Sequence, residues 1–186
     1  MNAPRAILFD LDDTILASGQ RPLVLLKVAE EVCSDVGISP VDLAHRVDRA
    51  LEAYWSDPAR HKEGRLGSLL AVRTQVTAQV FAASGEPGLT PELAEAFAAR
   101  FTTLREEMLE LFPTARETVE TLKARGVKLA LVTNGAAVTQ RAKIEQFDLA
   151  PLFDHVQIEG EAGFGKPEER AYRHALQALG VEAHET

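Results

Sequence analysis

Asp10 and Asp12, in the stretch FDLDDT, stand two residues apart at the end of an apolar run. On an extended chain that spacing puts both carboxylates on one side. Two carboxylates held together repel unless a cation or a shared proton relieves them. Such a pair can divide its labour, one member attacking phosphorus while the other moves protons. The same residues also suit a solvated turn that closes a strand, and this stretch alone leaves the two readings level. Thr133 and Asn134, in LVTNG, bring a hydroxyl, an amide and backbone N–H groups able to hold phosphate oxygens. Lys166, in GKPEERAY, brings an ammonium that could offset a phosphate lying against Asp10. Thr-Asn-Gly is a common turn and most lysines are solvated, so each has a plain structural role by itself. An acid pair, a hydroxyl and an ammonium at three successive strand ends are harder to dismiss together.

Residues 160–166, GEAGFGK, spell G-x-x-x-x-G-K, one residue short of a nucleotide-binding P-loop. A P-loop needs a Ser or Thr hydroxyl next, for Mg2+, and backbone N–H groups at the start of its helix. Pro167 supplies neither. The stretch reads as a loop that presents Lys166, and the NTPase reading falls.

The groups need strands that end where they begin. Ala6–Phe9 is a short apolar run closed by acids, the pattern of a buried strand. Val127–Thr133 is the next, broken by Asn134-Gly135, and FDHVQIEG holds a third. A helix precedes the second strand, with Pro113 near its start, Ala115, Val119 and Leu122 on one face and Gly126 as its stop. Residues 136–147 and 168–179 are the helices that follow, the latter ended by Gly180. Strand, helix, strand, helix, strand, helix predicts a right-handed parallel α/β sheet. Between Thr14 and Phe112, about a hundred residues carry almost no strand signal, and a structureless loop of that length is implausible. Helical periodicity runs over 23–36, 40–55, 66–83 and 91–109, punctuated by Gly37, Asp57-Pro58 and SGEPGLTP. A helical subdomain inserted after the first strand is expected.

The bulk properties narrow the classes. The 186 residues are 46% hydrophobic and 26% charged, an ordinary globular composition with a net charge of −8. That charge repels a nucleic-acid backbone. Cys33 is the only cysteine, which rules out an internal disulfide and favours a reducing compartment. The C-x5-R nucleophile of a cysteine phosphatase is missing, because Ser39 stands where the arginine is needed. Cys33 reads as a small core residue. The opening MNAPRAILFD is too short and too soon charged for a signal peptide, and no apolar run reaches membrane-spanning length. A cytoplasmic protein is expected.

FDLDDT, LVTNG and GKPEERAY together resemble, in order, the first three motifs of the haloacid dehalogenase-like (HAD) hydrolases. The resemblance implies a Rossmann-like α/β core over residues 1–16 and 113–186, with a subclass I helical cap over 17–112. It implies that Asp10 is a nucleophile passing through an aspartyl-phosphate, and that Asp12 protonates the leaving oxygen and then activates water. Thr133, with the backbone near Asn134, would hold the phosphoryl group, Lys166 would offset charge on it and on Asp10, and Pro167 would take the first helical position after it. Mg2+ would sit against the Asp10 carboxylate and the Asp12 backbone carbonyl. Dehalogenases of the family lack the second acid, so Asp12 points to the phosphatase branch and a small phosphorylated metabolite. Tyr54, Trp55 and Arg60 are candidates to line the substrate side of the cap, although Tyr54 and Trp55 equally suit helix packing. A phospho-acceptor receiver domain is weaker, because no acceptor Asp follows at a later strand end. The rival from another class is a non-catalytic phosphate-binding or scaffold protein that keeps the motifs without a metal site.

One departure from the family pattern carries its own expectation. The family supplies a fourth strand ending in one or two acids that complete the Mg2+ site, whereas the only acids after the third helix here are Glu182 and Glu185. The resemblance therefore implies a chain cut short before that motif. Its first strand would be left as an apolar edge open to self-association or another chain. Residues 1–186 alone are expected to be essentially inactive toward phosphate esters at saturating Mg2+. The check is an assay beside a chain extended by two further strands, and equal activity would count against the expectation.

Overall fold

Residues 129–132 are apolar without interruption because both faces of their strand are covered. Leu129 and Leu131 enter one cluster with Leu11, Ile144, Leu149 and Ile158, while Ala130 and Val132 enter another with Ala6, Ala175 and Leu179. Side chains of a strand alternate, so a central strand with helices on both sides must be apolar at every position. The computed structural model describes residues 4–17, 21–33, 36–57, 60, 64 and 66–186.

The chain divides into two compact units, Met1–Ala17 with Glu110–Thr186, and Ser18–Leu109. The first holds strands β1 (Ala6–Phe9), β2 (Leu16–Ala17), β3 (Glu110–Leu111), β4 (Lys128–Thr133) and β5 (His155–Ile158). Its helices are α5 (Ala115–Ala124), α6 (Ala137–Gln146), α7 (Glu159–Ala162) and α8 (Glu169–Leu179). The second holds α1 (Arg21–Val32), α2 (Pro40–Trp55), α3 (Leu69–Ser84) and α4 (Pro91–Glu107).

Among the described residues β1, β4 and β5 form a parallel sheet in the order β1-β4-β5. Phe9 pairs with Leu131 and Thr133 with Ile158, so the three strands finish on one edge. That common edge is where open parallel sheets place their ligands. A second, antiparallel ribbon pairs Leu16 with Leu111 and Ala17 with Glu110. This pairing ties both residues to the sheet unit, which puts the exchange points at 17/18 and 109/110 beside the expected 16/17 and 112/113.

In the helical unit, Val24, Leu25, Val28, Leu43, Val47 and Phe97 are among the side chains buried in one core. Phe81 and Phe97 meet edge to face there, with ring centroids 5.7 Å apart. Side-chain caps set two helix starts: Ser68 Oγ accepts from Ala71 N at 3.1 Å, which starts the helix expected from 66 at Leu69, and Thr90 Oγ1 accepts from Leu93 N at 3.2 Å. Pro40 and Pro91 sit in the first turn, where a missing N–H leaves nothing unsatisfied. Cys33 is buried in this core, as a small apolar residue would be. Burial pushes its thiol up to about 11. The expected first helix stops at Val32, and its Ser34–Asp35 portion lies outside the described residues, as does Pro58 of the expected break.

Two expectations near Lys166 need correction. Glu159–Ala162 is a short helix, not loop, ended by Gly163 at φ +76°. Pro167 is not the first helical residue: Glu168 N bonds to Gly165 O at 2.9 Å, closing a turn, and α8 begins at Glu169. The Lys166–Pro167 peptide is cis.

The start of α7 is packed against the turn after β4. A Cβ on Gly160 would lie 2.5 Å from Ala137 N and 2.9 Å from Gly135 O, both backbone atoms that cannot swing aside. Gly160→Ala is therefore expected to lower stability by about 1–3 kcal/mol, the usual penalty of overpacking. The measurement is the urea midpoint at unchanged m-value; an unshifted midpoint would show that the two turns have room to part.

Candidate active site

Leu11 aims the first motif. It is fully buried in the core, so alternation sends Asp10 and Asp12 to the other side of the chain. The chain then turns tightly: Ile15 N and Leu16 N both reach Leu11 O at 2.9 Å, and Asp13 takes a left-handed φ of +57°. Aspartate tolerates that conformation better than most residues. Leu11 N donates to Asp10 Oδ1 at 2.7 Å, and Lys166 Nζ lies 2.7 Å from Asp10 Oδ2. The predicted acid and ammonium thus meet directly.

Lys166 is carried there by a bracket built from Asn134. The Asn134 amide donates to Lys166 O at 2.7 Å and accepts from Lys166 N at 2.8 Å. This side chain is spent on positioning Lys166. The approach is possible because residue 165 is glycine; a Cβ there would lie 2.5 Å from Asn134 Oδ1 and 2.7 Å from Glu159 Cδ. Glycines that mimic a P-loop in sequence serve close packing of two turns.

Glu159 was not legible as a site residue. It is 1% exposed, and its Oε2 accepts from Gly135 N at 3.1 Å, while Gly160 N donates to Gly135 O at 3.0 Å. Gly135 stands at φ +128°, open to glycine and strained for other residues. One buried carboxylate thereby fixes the turn that follows Thr133. A carboxylate directly after the third strand was the available signal, and it read only as the end of the strand segment FDHVQIEG.

Gln140 and Lys143 also escaped the sequence reading. They project from one side of α6, three residues apart. Gln140 Nε2 is 2.9 Å from Asp12 Oδ2 and 2.6 Å from Thr133 Oγ1; Lys143 Nζ is 2.7 Å from Asp12 Oδ1. Gln140 is 2% exposed. A glutamine four residues before the buried Ile144, in line with the core stripe, was the signal. α6 is further held by Arg141, whose guanidinium grips Glu161 through two 2.6 Å bonds. That hydrogen bonding holds the Glu161 carboxyl below the usual carboxylate range.

The structure therefore gathers Asp10, Asp12, Thr133, Asn134 and Lys166 into one linked set. Tyr54 and Arg60 lie in the helical unit, lining a cavity of about 400 Å³ with Gly64, Ser68 and Gln75. Arg60 stands 5.7 Å over the Tyr54 ring. Trp55 meets Tyr54 edge to face at 5.1 Å and packs on the helical core, the packing role open to it from the sequence. Among the described residues no group of three or more His, Cys, Asp or Glu side chains forms a metal cage. Among them, too, no helix is long and apolar enough to cross a membrane.

Comparison with known proteins gives this geometry a context. The chain is 40% identical over 141 residues to the phosphoserine phosphatase of Thermus thermophilus, covering 73% of this chain and 53% of that protein. It is 30% identical over 190 residues to the glyceraldehyde 3-phosphate phosphatase of Pyrococcus furiosus, covering 100% of this chain and 71% of that one. It spans about half the length of the first relative. The HAD hydrolase YfnB from Bacillus subtilis, solved bound to magnesium, superposes with a TM-score of 0.65 at 20% identity, covering 95% of this chain and 72% of that chain. At that identity the likeness shows the fold alone. The model of the haloacid dehalogenase-like hydrolase family matches residues 4–186, and it is to this family that the chain belongs.

Proposed function

We propose that the protein hydrolyses a small phosphomonoester through an aspartyl-phosphate on Asp10. The observation that carries the reading is the linked set at the sheet edge: Lys166 at 2.7 Å from Asp10, beside Asp12 joined through Gln140 to Thr133. Asp10 attacks phosphorus, displacing the alcohol. Asp12 gives the departing oxygen a proton and later takes one from the water that attacks the acyl-phosphate. Thr133 donates its hydroxyl to the phosphoryl group, and Lys166 offsets negative charge gathered between that group and Asp10. The relatives named for phosphoserine and glyceraldehyde 3-phosphate support a small phosphorylated metabolite as substrate. The net charge of −8 argues against a nucleic acid. Among the described residues β1 is paired with a strand on one side only, which supports self-association or pairing with another chain.

The donor chemistry fits a hard divalent cation. A carboxylate offers about four lone-pair sites, and those of Asp10 meet Leu11 N and Lys166 Nζ, leaving room for another partner. Mg2+ is commonly held by one or two carboxylates with several waters and substrate phosphate. The Asp10 carboxylate and the Asp12 carbonyl would hold it, and when bound it supplies Lewis-acid neutralisation of the phosphoryl oxygens. The magnesium-bound fold neighbour supports this choice. A second reading, a phosphate-binding protein without turnover, draws on the lack of a three-acid cage among the described residues.

A panel of phosphate esters assayed with Mg2+ separates the two. Turnover of at least one small ester is expected from the chain extended by two further strands, the form used for this and the following assays, and phosphate binding without turnover of any would favour the second reading. Removal of divalent cations with EDTA is expected to abolish activity and added Mg2+ to restore it; full activity in EDTA would exclude the metal assignment. Asp10→Asn is expected to abolish turnover, because an amide forms no acyl-phosphate. Asp12→Asn is expected to slow it by about 10²–10⁴-fold, the usual worth of general acid–base catalysis. Near-normal kcat in the Asp10 variant would remove the covalent step.

A further inference from the structure

Both oxygens of the Asp12 carboxylate are taken by one helix. Lys143 Nζ holds Oδ1 at 2.7 Å and Gln140 Nε2 holds Oδ2 at 2.9 Å. An aspartate on a turn otherwise samples several rotamers, with a broad χ2. Two donors arriving from fixed directions select one of them. The donors are themselves fixed. Gln140 is 2% exposed and its Cγ and Cδ lie where a Cβ on Gly135 would be 3.4 Å away. Ile144, next to Lys143, is 1% exposed in the core, and Arg141 clamps the helix to Glu161. α6 cannot roll without dragging Asp12 with it.

The Gln140 amide does a second thing. An –NH2 group only donates, so Thr133 Oγ1 accepts from it at 2.6 Å and keeps its own hydrogen to give. The other acceptor for that hydrogen, Asn134 O, is 3.4 Å away, too far for a good O–H···O bond. A carboxylate only accepts, which fixes the amide orientation with nitrogen toward Asp12.

We propose that Lys143 and Gln140 are positioning residues for Asp12, and that Gln140 also directs the Thr133 hydroxyl hydrogen toward the phosphoryl group. The inference rests on the phosphatase reading. In that reaction the P–O ester bond breaks as the Asp10–phosphorus bond forms; Asp12, a carboxylate in the resting site, takes a proton from solvent or the ester monoanion as the substrate binds and passes it to the leaving oxygen. Orientation of Asp12 therefore matters most when the leaving oxygen is basic.

The test compares glycerol 3-phosphate, whose alkoxide needs a proton, with 4-nitrophenyl phosphate, whose phenolate leaves without one. Lys143→Met is expected to lower kcat for the alkyl ester by about 10–100-fold, within the worth of general acid catalysis. The aryl ester and both KM values should change little, and Lys143→Arg should recover most of the loss. Gln140→Leu is expected to slow both esters and raise both KM values, because Thr133 serves both. Equal loss on the two esters in Lys143→Met would mean a merely structural lysine and overturns the proposal. Asp12→Asn, run alongside, must show the same split. If it does and Lys143→Met does not, this inference alone fails; if Asp12→Asn shows no split, the acid–base reading fails and takes the inference with it. A crystal structure of Lys143→Met adds a readout independent of turnover. The Asp12 carboxylate is expected to turn away from Gln140, and an unmoved carboxylate would overturn the positioning role.

Discussion

Everything at the site depends on the parallel register of β4 between β1 and β5. Because Phe9 pairs with Leu131 and Thr133 with Ile158, three strands run out together and three loops begin on one edge. Groups separated by more than a hundred residues come within reach of a single lysine or glutamine side chain. A register slip of one residue on β4 would exchange its two faces, burying Thr133 differently and moving Leu129 and Leu131 out of their core. The apolar packing on both faces of this strand is thus what keeps the chemistry in place.

How much of this the sequence disclosed follows from the range of the interactions involved. Strand–helix alternation, helix starts at Pro40 and Pro91, and the stop at Gly126 are local, so periodicity and capping chemistry reveal them. The Asp10–Lys166 contact was also within reach, because motif order places Asp10 at the end of the first strand and Lys166 in the segment after the third. Glu159, Gln140 and Lys143 were not. Their roles come from tertiary partners: Gly135 N for Glu159, and Asp12 for the two residues of α6. A buried polar residue looks like a surface one until the element opposite it is known. The turn at Gly165–Glu168 was misread for a related reason: proline is compatible with both a first helical position and a turn, and the hydrogen bond that decides between them lies in the fold.

Asn134 shows how one residue type can serve the same site by a different route. A side-chain amide near a phosphate site invites the view that it binds the ligand. Here both of its polar atoms are engaged by the backbone of Lys166, so it acts like a short stretch of sheet between two loops. Glu159 does similar work for Gly135. The ends of β4 and β5 are stitched by polar side chains where the strands' own ladder has run out, and this is how buried backbone groups beyond a sheet edge remain satisfied.

The two-residue ribbon of β2 and β3 has a separate meaning. By pairing Leu16 with Leu111 and Ala17 with Glu110, it brings the exit and re-entry of the chain side by side. Seen from the sheet, the whole helical segment is then a single closed excursion, entered and left through one doorway. The entropy of closing such an excursion grows only with the logarithm of its length, by roughly 0.6 kcal/mol per doubling. The sheet is therefore nearly indifferent to the length of the segment, which can grow or shrink while the strand ends stay as they are.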